Sequence, residues 1–252
     1  MSVYSIYFSP TNSTEKIVKL IATEFGEFKT IDLSCKNAHF DYTFNEDDIC
    51  IFGVPSYGGR VPQTATERMS DFTGNNARAI MVVSYGNRAY EDTLVELQDI
   101  LTQHNFNCVA GMAVVTEHSI MHKYAKGRPN QEDQKQIKNF AHKIISKINK
   151  NVLQEVLYVP GNHPYKEYHT IPLHPKTNSK CTNCGMCAKL CPVGAISKDS
   201  SHKVDTNLCI SCMRCVKICP RNAKSVNKLK VKLASMKMKK VCSTRKENEL
   251  FI

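Results

Sequence analysis

The chain has 252 residues, with 34 Lys or Arg against 23 Asp or Glu, so its formal net charge at pH 7 is +11. This length allows one sizeable domain and a second, smaller one. No apolar run reaches the roughly 18 residues that a membrane-spanning helix needs. The N-terminal residues also lack the basic and apolar stretches of a signal peptide, so we expect a cytoplasmic protein.

Apolar runs alternate with helical periodicity along residues 1–150. The runs predict strands at residues 3–8, 28–33, 49–54, 79–84 and 107–115. The periodicity predicts one helix that ends near Gly26 and two more over 91–103 and 132–150. Strands that alternate with helices indicate a parallel sheet covered on both faces. We therefore predict an α/β domain built on a doubly wound five-stranded parallel sheet.

The loop after the first strand is rich in hydroxyl groups and leads directly into a helix. Helix N-termini attract anions because their first backbone N–H groups have no intrahelical partner. The loop lacks the lysine of a Walker A motif and the glycines of the dinucleotide fingerprint, which leaves a single phosphate such as that of FMN as the best match. An ordinary helix cap would contain the same residue types. The candidate contacts are Ser9, Thr11, Asn12, Ser13 and Thr14.

Two further loops follow the third and fourth strands, and each couples tyrosine to glycine. Glycine lets backbone groups approach the edge of a ring, and tyrosine can stack on its face. Any one of these tyrosines alone is more simply explained as a packing side chain. Three loops at the carboxyl end of one sheet, one rich in hydroxyl groups and two with tyrosine and glycine, together favour a flavin site. The candidate contacts here are Pro55, Ser56, Tyr57, Gly58, Gly59, Ser84, Tyr85, Gly86, Asn87 and Tyr90.

One cysteine pattern, Cys-x₂-Cys-x₂-Cys-x₃-Cys-Pro, occurs twice within residues 181–220. This spacing is typical of two [4Fe–4S] clusters, with the fourth cysteine of each run binding the other cluster. Zinc sites use separated cysteine pairs, and disulfide frameworks belong to secreted domains, so both alternatives fit less well. The predicted ligands are Cys181, Cys184, Cys187 and Cys219 for cluster one, and Cys209, Cys212, Cys215 and Cys191 for cluster two.

The remaining segments complete the predicted organisation. Residues 151–178 contain Pro, His and Tyr without periodicity and are expected to form a packed linker, followed by the cluster domain over 179–226. Residues 227–252 form a tail rich in Lys and Arg. Such a tail could be a solvated helix, could steer an acidic redox partner, or could bind nucleic acid or an anionic membrane surface. Nucleic acid is the weaker option because no aromatic residue is interleaved with the lysines.

With these motifs in place, residues 1–150 resemble a flavodoxin. The whole chain, to about residue 226, resembles the flavodoxin–ferredoxin fusion proteins of anaerobes, in which PSYGGRVP and YGNRAYED are typical loops. The resemblance implies a flavodoxin-like domain that binds FMN, then a small α+β ferredoxin-like domain with two clusters. Asn12 stands where that family usually has Gly, but Asn tolerates a left-handed backbone. Flavodoxins are usually acidic and often stack Trp on the flavin, whereas this chain is basic and has no Trp.

These features predict an iron–sulfur flavoprotein that passes low-potential electrons between the clusters, FMN and an external redox partner. Because the chain is basic, we expect that partner to be acidic. The alternative is an FMN-dependent reductase of a small molecule, fed by the clusters, in which Arg60, Arg88 or His118 would position the substrate. A DNA-associated redox sensor is a third option, suggested by the tail alone. No nucleophile–base arrangement is present in the sequence, so we assign no catalytic residue.

Overall fold

The computed structural model describes residues 1–150, 157–169 and 171–252. Its main sheet contains five parallel strands in the order β2-β1-β3-β4-β5. This is the flavodoxin-like doubly wound order, so the predicted fold class is confirmed. The strands are β1 (Val3–Tyr7), β2 (Lys29–Asp32), β3 (Ile49–Pro55), β4 (Arg78–Tyr85) and β5 (Asn107–Val115).

Four helices cover the two faces of the sheet, as expected for strands that are buried on both sides. They are α1 (Ser13–Phe25), α2 (Gln63–Met69), α3 (Thr93–Gln103) and α4 (Gln131–Asn149). Apolar residues of α1 and α4 pack in one core cluster, and those of α2 and α3 pack in another on the opposite face. Helix α2 was not predicted, because seven residues are too few to show a clear helical period.

Helix α1 lies close to the centre of the sheet because β3 offers no side chain at one position. A Cβ atom on Gly53 would collide with the Val18 side chain and would lie 3.0 Å from Cγ2 of Thr14. The first turn of α1 is therefore held directly over the carboxyl end of β3. This places the hydroxyl-rich loop beside the loop that follows β3.

The C-terminal segment returns to the main sheet and adds a sixth strand. After helix α7 (Lys228–Cys242), strand β8 (Glu249–Phe251) pairs antiparallel with β5. The five-stranded description thus holds for the parallel part alone. Residues 227–252 are not a loose tail, because they cover what would otherwise be the open edge at β5. A strand of three residues carries too little pattern for its sequence to reveal it.

The cysteine-rich segment forms a small α+β unit, as predicted. Strands β6 (Lys176–Thr177) and β7 (Lys224–Ser225) pair antiparallel at its ends, and helices α5 (Met186–Lys189) and α6 (Arg214–Lys217) lie between them. Each helix contains the third cysteine of its run. No helix within the described residues is long and apolar enough to cross a bilayer.

The described part of the predicted linker packs against α3, while residues 151–156 and Thr170 lie outside the described residues. Leu157 and Val159 enter the core on that face. One carboxylate, that of Asp92, accepts bonds from Asn162 N at 2.9 Å and from Lys166 N at 2.7 Å. This segment, expected to be a packed linker, thus contacts the start of α3 and the core on that face.

The side chain of Asn248 joins the start of β8 to β5 and α4. Its Oδ1 accepts from Val115 N at 2.9 Å, and its Nδ2 donates to Asp133 Oδ1 at 3.1 Å and Gln136 Oε1 at 2.7 Å. Asn248→Ala should lower the free energy of unfolding by about 1–3 kcal/mol, because it leaves buried polar groups unpaired. Denaturant titration measures this change.

The matched control is the neighbouring Glu247→Ala, since the Glu247 side chain is 63% exposed and pairs only with Arg245 within the described residues. Its effect should stay within about 0.5 kcal/mol. Equal effects of the two substitutions would mean that β8 is not fixed through the Asn248 side chain.

Candidate cofactor sites

The loop between β1 and α1 has the geometry of an anion-binding helix N-terminus. Asn12, the residue before α1, adopts the left-handed conformation (φ 65°, ψ 8°), as its tolerance for that region led us to expect. Its side chain makes no capping hydrogen bond. Ser9 Oγ accepts a hydrogen bond from Glu15 N at 3.0 Å. The N–H groups of Ser13 and Thr14 lie in the first turn of α1, where backbone donors have no intrahelical acceptor.

The other two predicted loops are joined to the first by hydrogen bonds. Thr14 Oγ1 lies 2.8 Å from Ser84 Oγ, and Ser56 N donates to Ser84 O at 2.8 Å. Residues 57–60 form a tight turn closed by mutual backbone bonds between Tyr57 and Arg60. The loops after β1, β3 and β4 therefore form one connected edge of the sheet, as the doubly wound fold predicts.

These loops border a cavity of about 320 Å³, a size typical of small-molecule sites. Predicted phosphate-loop and ring-loop residues lie side by side in its lining. The predicted residues that line it are Ser9, Thr11, Ser13, Thr14, Pro55, Ser56, Tyr57, Gly58, Ser84, Tyr85 and Gly86.

Four predicted contacts lie outside this lining, namely Asn12, Gly59, Asn87 and Tyr90. The Asn87 side chain is buried and donates to Cys242 O at 2.7 Å and Thr244 O at 2.9 Å. Tyr90 donates its hydroxyl to Glu249 Oε2 at 2.8 Å. Gly59 packs against Glu91, where a Cβ atom would clash. Asn87 and Tyr90 thus fasten the C-terminal segment instead of facing the cavity.

The loop after β5, in which His118 was a candidate for positioning a substrate, contributes residues 116–121 to the lining. Three segments that the sequence did not assign to the site also line the cavity: the linker with Tyr168 and His169, the cysteine segment with Ile210 and Ser211, and α7 with Ala234 and Met238. The unusual Tyr and His content of the linker was the one available sign of its role. The apolar residues of α7 did not indicate which part of the chain they contact, because a sequence pattern does not identify a packing partner that is distant in the chain.

His118 is a titratable side chain of the cavity whose pKa is changed by its surroundings. Its Nδ1 accepts from Ile120 N at 3.1 Å and Met121 N at 3.2 Å, so the proton of the neutral ring resides on Nε2. Burial, followed by the nearby His122 and Arg88, lowers the pKa of His118 from 6.5 to about 4. The ring is therefore neutral at pH 7 and supplies one N–H donor.

Tyr57 and Tyr85 flank the cavity from different loops. Burial raises the pKa of Tyr57 well above its ordinary value, and burial raises that of Tyr85 to about 12. Both phenols are therefore protonated at neutral pH, and both rings present largely apolar surfaces. Arg60 does not line this cavity, because its guanidinium binds both oxygens of Glu96 at 2.8 Å. Arg88 does line it and pairs with Glu91 at 2.6 Å.

The eight motif cysteines gather into two sets of four. One small cavity is lined by Cys181, Cys184, Cys187 and Cys219. A second is lined by Cys191, Cys209, Cys212 and Cys215. In each set three cysteines come from one run and the fourth from the other, which is the predicted crossed arrangement. In the described part of the chain, no three His, Cys, Asp or Glu side chains converge on a single-ion position.

The two cysteine cavities differ in exposure. Cys191 and Cys212 of the second set are buried, whereas Cys184 of the first is exposed. Burial raises the pKa of Cys212 and Cys215 to about 12. Thiols ligate metals as thiolates, and a bound metal cation would compensate the negative charge of Cys212 and Cys215 in this place, so the set suits metal ligation.

A buried ammonium group lies between the two sets. Lys224 is 3% exposed, and its Nζ donates to Thr177 Oγ1 and Ser201 O, each at 2.7 Å. It has no carboxylate partner among residues 1–150, 157–169 and 171–252. Its charge lowers the pKa of Cys187 and Cys209 against the larger, opposing effect of burial. A buried cation of this kind is stabilised by neighbouring thiolates.

A thin wall separates the large cavity from the second cysteine set. Ile210, between Cys209 and Cys212, lines both cavities, and Ser211 lines the large one. Ser211 Oγ donates to Ile171 O at 2.7 Å, which fixes this wall to the linker. Arg68 of α2 donates to Pro192 O at 2.6 Å and adds a second link. The side of the second cysteine cavity that faces the large cavity is thus formed by Ile210.

Comparison with known proteins supports this division of the chain. Residues 180–224 match the family described as "4Fe-4S dicluster domain". Together with the doubly wound order of the main sheet, this confirms the prediction of a flavodoxin-like domain followed by a ferredoxin-type domain. No curated protein sequence matches the chain.

Solved structures similar to the chain include two flavodoxins. Oxidised flavodoxin 1 from Bacillus cereus is 16% identical over 58% of this chain and 98% of its own, with a TM-score of 0.43. A flavodoxin of Streptococcus pneumoniae TIGR4 is 18% identical over 58% and 99%, with a TM-score of 0.42. Rubredoxin oxygen:oxidoreductase from Desulfovibrio gigas is 18% identical over 61% of this chain and 37% of its own, with a TM-score of 0.40.

The lowered pKa of His118 predicts a specific pH dependence of stability. Because the folded state keeps the ring neutral while the unfolded chain binds a proton below its pKa of 6.5, stability falls as the pH is lowered from about 7.5 to about 5.5. His118→Asn should flatten this fall, since Asn keeps an acceptor for the turn but does not titrate. Thermal unfolding at several pH values measures the slope. The control His39→Asn alters an exposed histidine and should keep the wild-type slope; a wild-type slope in His118→Asn would contradict the assignment.

Proposed function

We propose that the protein is an electron-transfer iron–sulfur flavoprotein, which passes low-potential electrons between two [4Fe–4S] clusters and a bound FMN or an external partner. The observation that carries the proposal is Ile210, whose side chain borders both the large cavity and the cavity of Cys191, Cys209, Cys212 and Cys215. Redox groups in adjacent cavities would be close enough to exchange electrons without a further carrier.

The large cavity fits FMN in its distribution of polar groups. Ser13 and Thr14, at the start of α1, would hold the phosphate with Thr11, because backbone N–H groups and hydroxyls bind anions there. Tyr57 and Tyr85 would contact the ring system, and the Nε2–H of His118 would donate to one of its acceptors. Arg88 adds a positive charge at the cavity wall, although Glu91 pairs with it.

The two cysteine sets fit [4Fe–4S] clusters and would differ in role. When bound, each cluster accepts one electron, and FMN accepts one or two. The set of Cys191, Cys209, Cys212 and Cys215, in which Cys191 and Cys212 are buried, lies beside the large cavity and would face the flavin. The set of Cys181, Cys184, Cys187 and Cys219 is more exposed and would face an external partner. We propose that cations at the edge of this exposed set are the docking charges: Lys180, Lys189 and Arg221.

An acidic redox protein is the partner that these charges favour. All three of the cationic side chains are exposed, and Arg221 lines the cavity of the exposed cysteine set. Complementary charge raises the rate of association more than the affinity, so this contact should weaken with added salt. Such behaviour suits a carrier that meets its partner briefly.

A reductase of a small molecule remains the alternative for the same cavity. Arg88 and His118 line it and could position a polar substrate, whereas Arg60 is occupied by Glu96. A reductase should saturate with one substrate, while a carrier should exchange electrons with several redox proteins at salt-dependent rates. Among the described residues that line the cavity, no pair of side chains forms a nucleophile and its base, and we assign none of them a catalytic role.

The phosphate loop provides a first test. Thr11→Ala combined with Thr14→Ala should weaken FMN binding by roughly 10- to 100-fold, because hydrogen bonds to a charged group are lost. Fluorescence titration of the flavin-depleted protein measures this affinity, and iron content should not change. Thr23→Ala is the matched control, since its hydroxyl bonds to Lys19 O in the same helix, away from the loop. Unchanged affinity in the double variant would refute the phosphate assignment.

A second test separates the roles of the two cysteine sets. Cys187→Ala and Cys215→Ala should each lower the iron content from about eight to about four atoms per chain and leave FMN bound. In stopped flow with a reduced ferredoxin, Cys215→Ala should lose the fast reduction of FMN, because the group beside Ile210 is absent. Cys35→Ala, which removes an exposed thiol outside both cavities, should match the wild type.

The outcomes of this second test are distinguishable. If FMN in Cys215→Ala is reduced at the wild-type rate, electrons do not pass through the buried set, and the proposed order of groups is wrong. If both variants lose FMN together with iron, the two sites do not fold independently, and the division into separate cofactor sites fails.

A further inference from the structure

Helix α7 carries charge of one sign. Its 15 residues include six lysines and no acidic residue. All six lysines are exposed, and none forms an ion pair within the described part of the chain. The lysines are Lys228, Lys230, Lys232, Lys237, Lys239 and Lys240.

The inner face of α7 packs against the rest of the protein. Ser235 and Cys242 are buried, and Val231 and Met238 pack against the cluster formed by Ile120, Met121, Tyr124 and Met213. Tyr124 donates its hydroxyl to Ser235 O at 2.6 Å. The orientation of the helix is therefore fixed, and its opposite face points to solvent.

That opposite face carries an apolar stripe. Leu229, Leu233 and Met236 are 64%, 51% and 61% exposed. Their spacing of four and three residues places them in one row on a helix, on the side opposite Ser235 and Met238. Three adjacent large apolar side chains in water form a patch of the kind that marks an interaction site.

The lysines lie on both sides of this stripe. At 100° per residue, Lys230 and Lys237 fall on one flank, and Lys228, Lys232 and Lys239 fall on the other. Lys240 continues the stripe itself toward the C-terminal end of the helix. A row of apolar side chains between two rows of cations suits a flat, anionic surface whose interior is apolar.

We propose that the outer face of α7 docks on an anionic lipid surface. Leu229, Leu233 and Met236 would enter the boundary between headgroups and acyl chains, while the lysines on both flanks reach the lipid phosphates. An acidic protein is a less suitable occupant, because protein interfaces are depleted in lysine and rarely place it on both sides of a narrow apolar row. This inference does not depend on the proposed electron transfer.

The position of α7 gives such docking a consequence for the large cavity. Ala234 and Met238, on the inner face, line that cavity. A helix with its side chains is about 10 Å across, so docking would hold the cavity about one helix diameter from the lipid headgroups.

Vesicle binding by the cofactor-loaded full chain tests the proposal. The protein should sediment with vesicles of phosphatidylcholine and phosphatidylglycerol and should stay in solution with phosphatidylcholine alone. Because the chain contains no Trp, Leu233→Trp introduces a single tryptophan. Its emission should shift to shorter wavelength when the protein binds the anionic vesicles. An unshifted emission on bound protein would show that the stripe does not enter the lipid and would overturn the proposal.

Two triple variants separate insertion from charge. Leu229→Ser with Leu233→Ser and Met236→Ser should weaken binding by at least about tenfold. Lys230→Gln with Lys232→Gln and Lys237→Gln should weaken it by about 100-fold. Both sets of positions are exposed, so thermal unfolding should be unchanged. The matched control, Lys135→Gln with Lys143→Gln and Lys150→Gln, also removes three exposed lysines and should bind as the wild type does.

Each contrary result is decisive. Equal losses in the α7 and control lysine variants would mean attraction by net charge alone. Wild-type binding by the serine variant would show that the apolar stripe does not contribute to vesicle binding. No binding to anionic vesicles at low ionic strength would leave an acidic protein as the occupant of this face.

Discussion

The anchoring of the cysteine segment at both of its ends is the constraint on which the rest of the molecule depends. On the N-terminal side, Asp92 accepts backbone bonds from the linker. On the C-terminal side, the Asn87 amide donates to the carbonyls of Cys242, the last residue of α7, and Thr244, and Asn248 ties β8 to β5. Electron transfer between neighbouring groups falls steeply with distance. The two anchors hold the wall at Ile210 in place. They therefore set the distance between the two cavities, on which the rate of electron transfer would depend.

The sequence predicted the parts whose information is local. Continuous apolar runs identified β1, β3, β4 and β5 to within one residue or two, because strands buried on both faces need such runs. The doubled cysteine spacing predicted which four residues of each set come together, and the structure gathers the same sets. The position of the three loops followed from chain direction alone, since parallel strands all end at one edge of the sheet.

The remainder depended on contacts between residues far apart in the chain. Asn87 and Tyr90 stand in a loop typical of flavin sites, yet their partners are 155 and 159 residues away, at Cys242 and Glu249. Their side-chain chemistry was equally suited to a ligand or to the chain itself. The cavity walls from the linker and α7 escaped prediction for the same reason. Hydrogen bonding and packing across the fold decide such roles, and neither leaves a periodic pattern.

The pairing of β8 with β5 sets an order of events during synthesis. The strand that protects the sheet edge is made of residues 249–251, so it leaves the ribosome after the whole cysteine segment. Until then β5 presents unpaired backbone groups, which is the usual starting point of edge-to-edge aggregation. The pairing that closes this edge can therefore form only after the cysteine segment has been made.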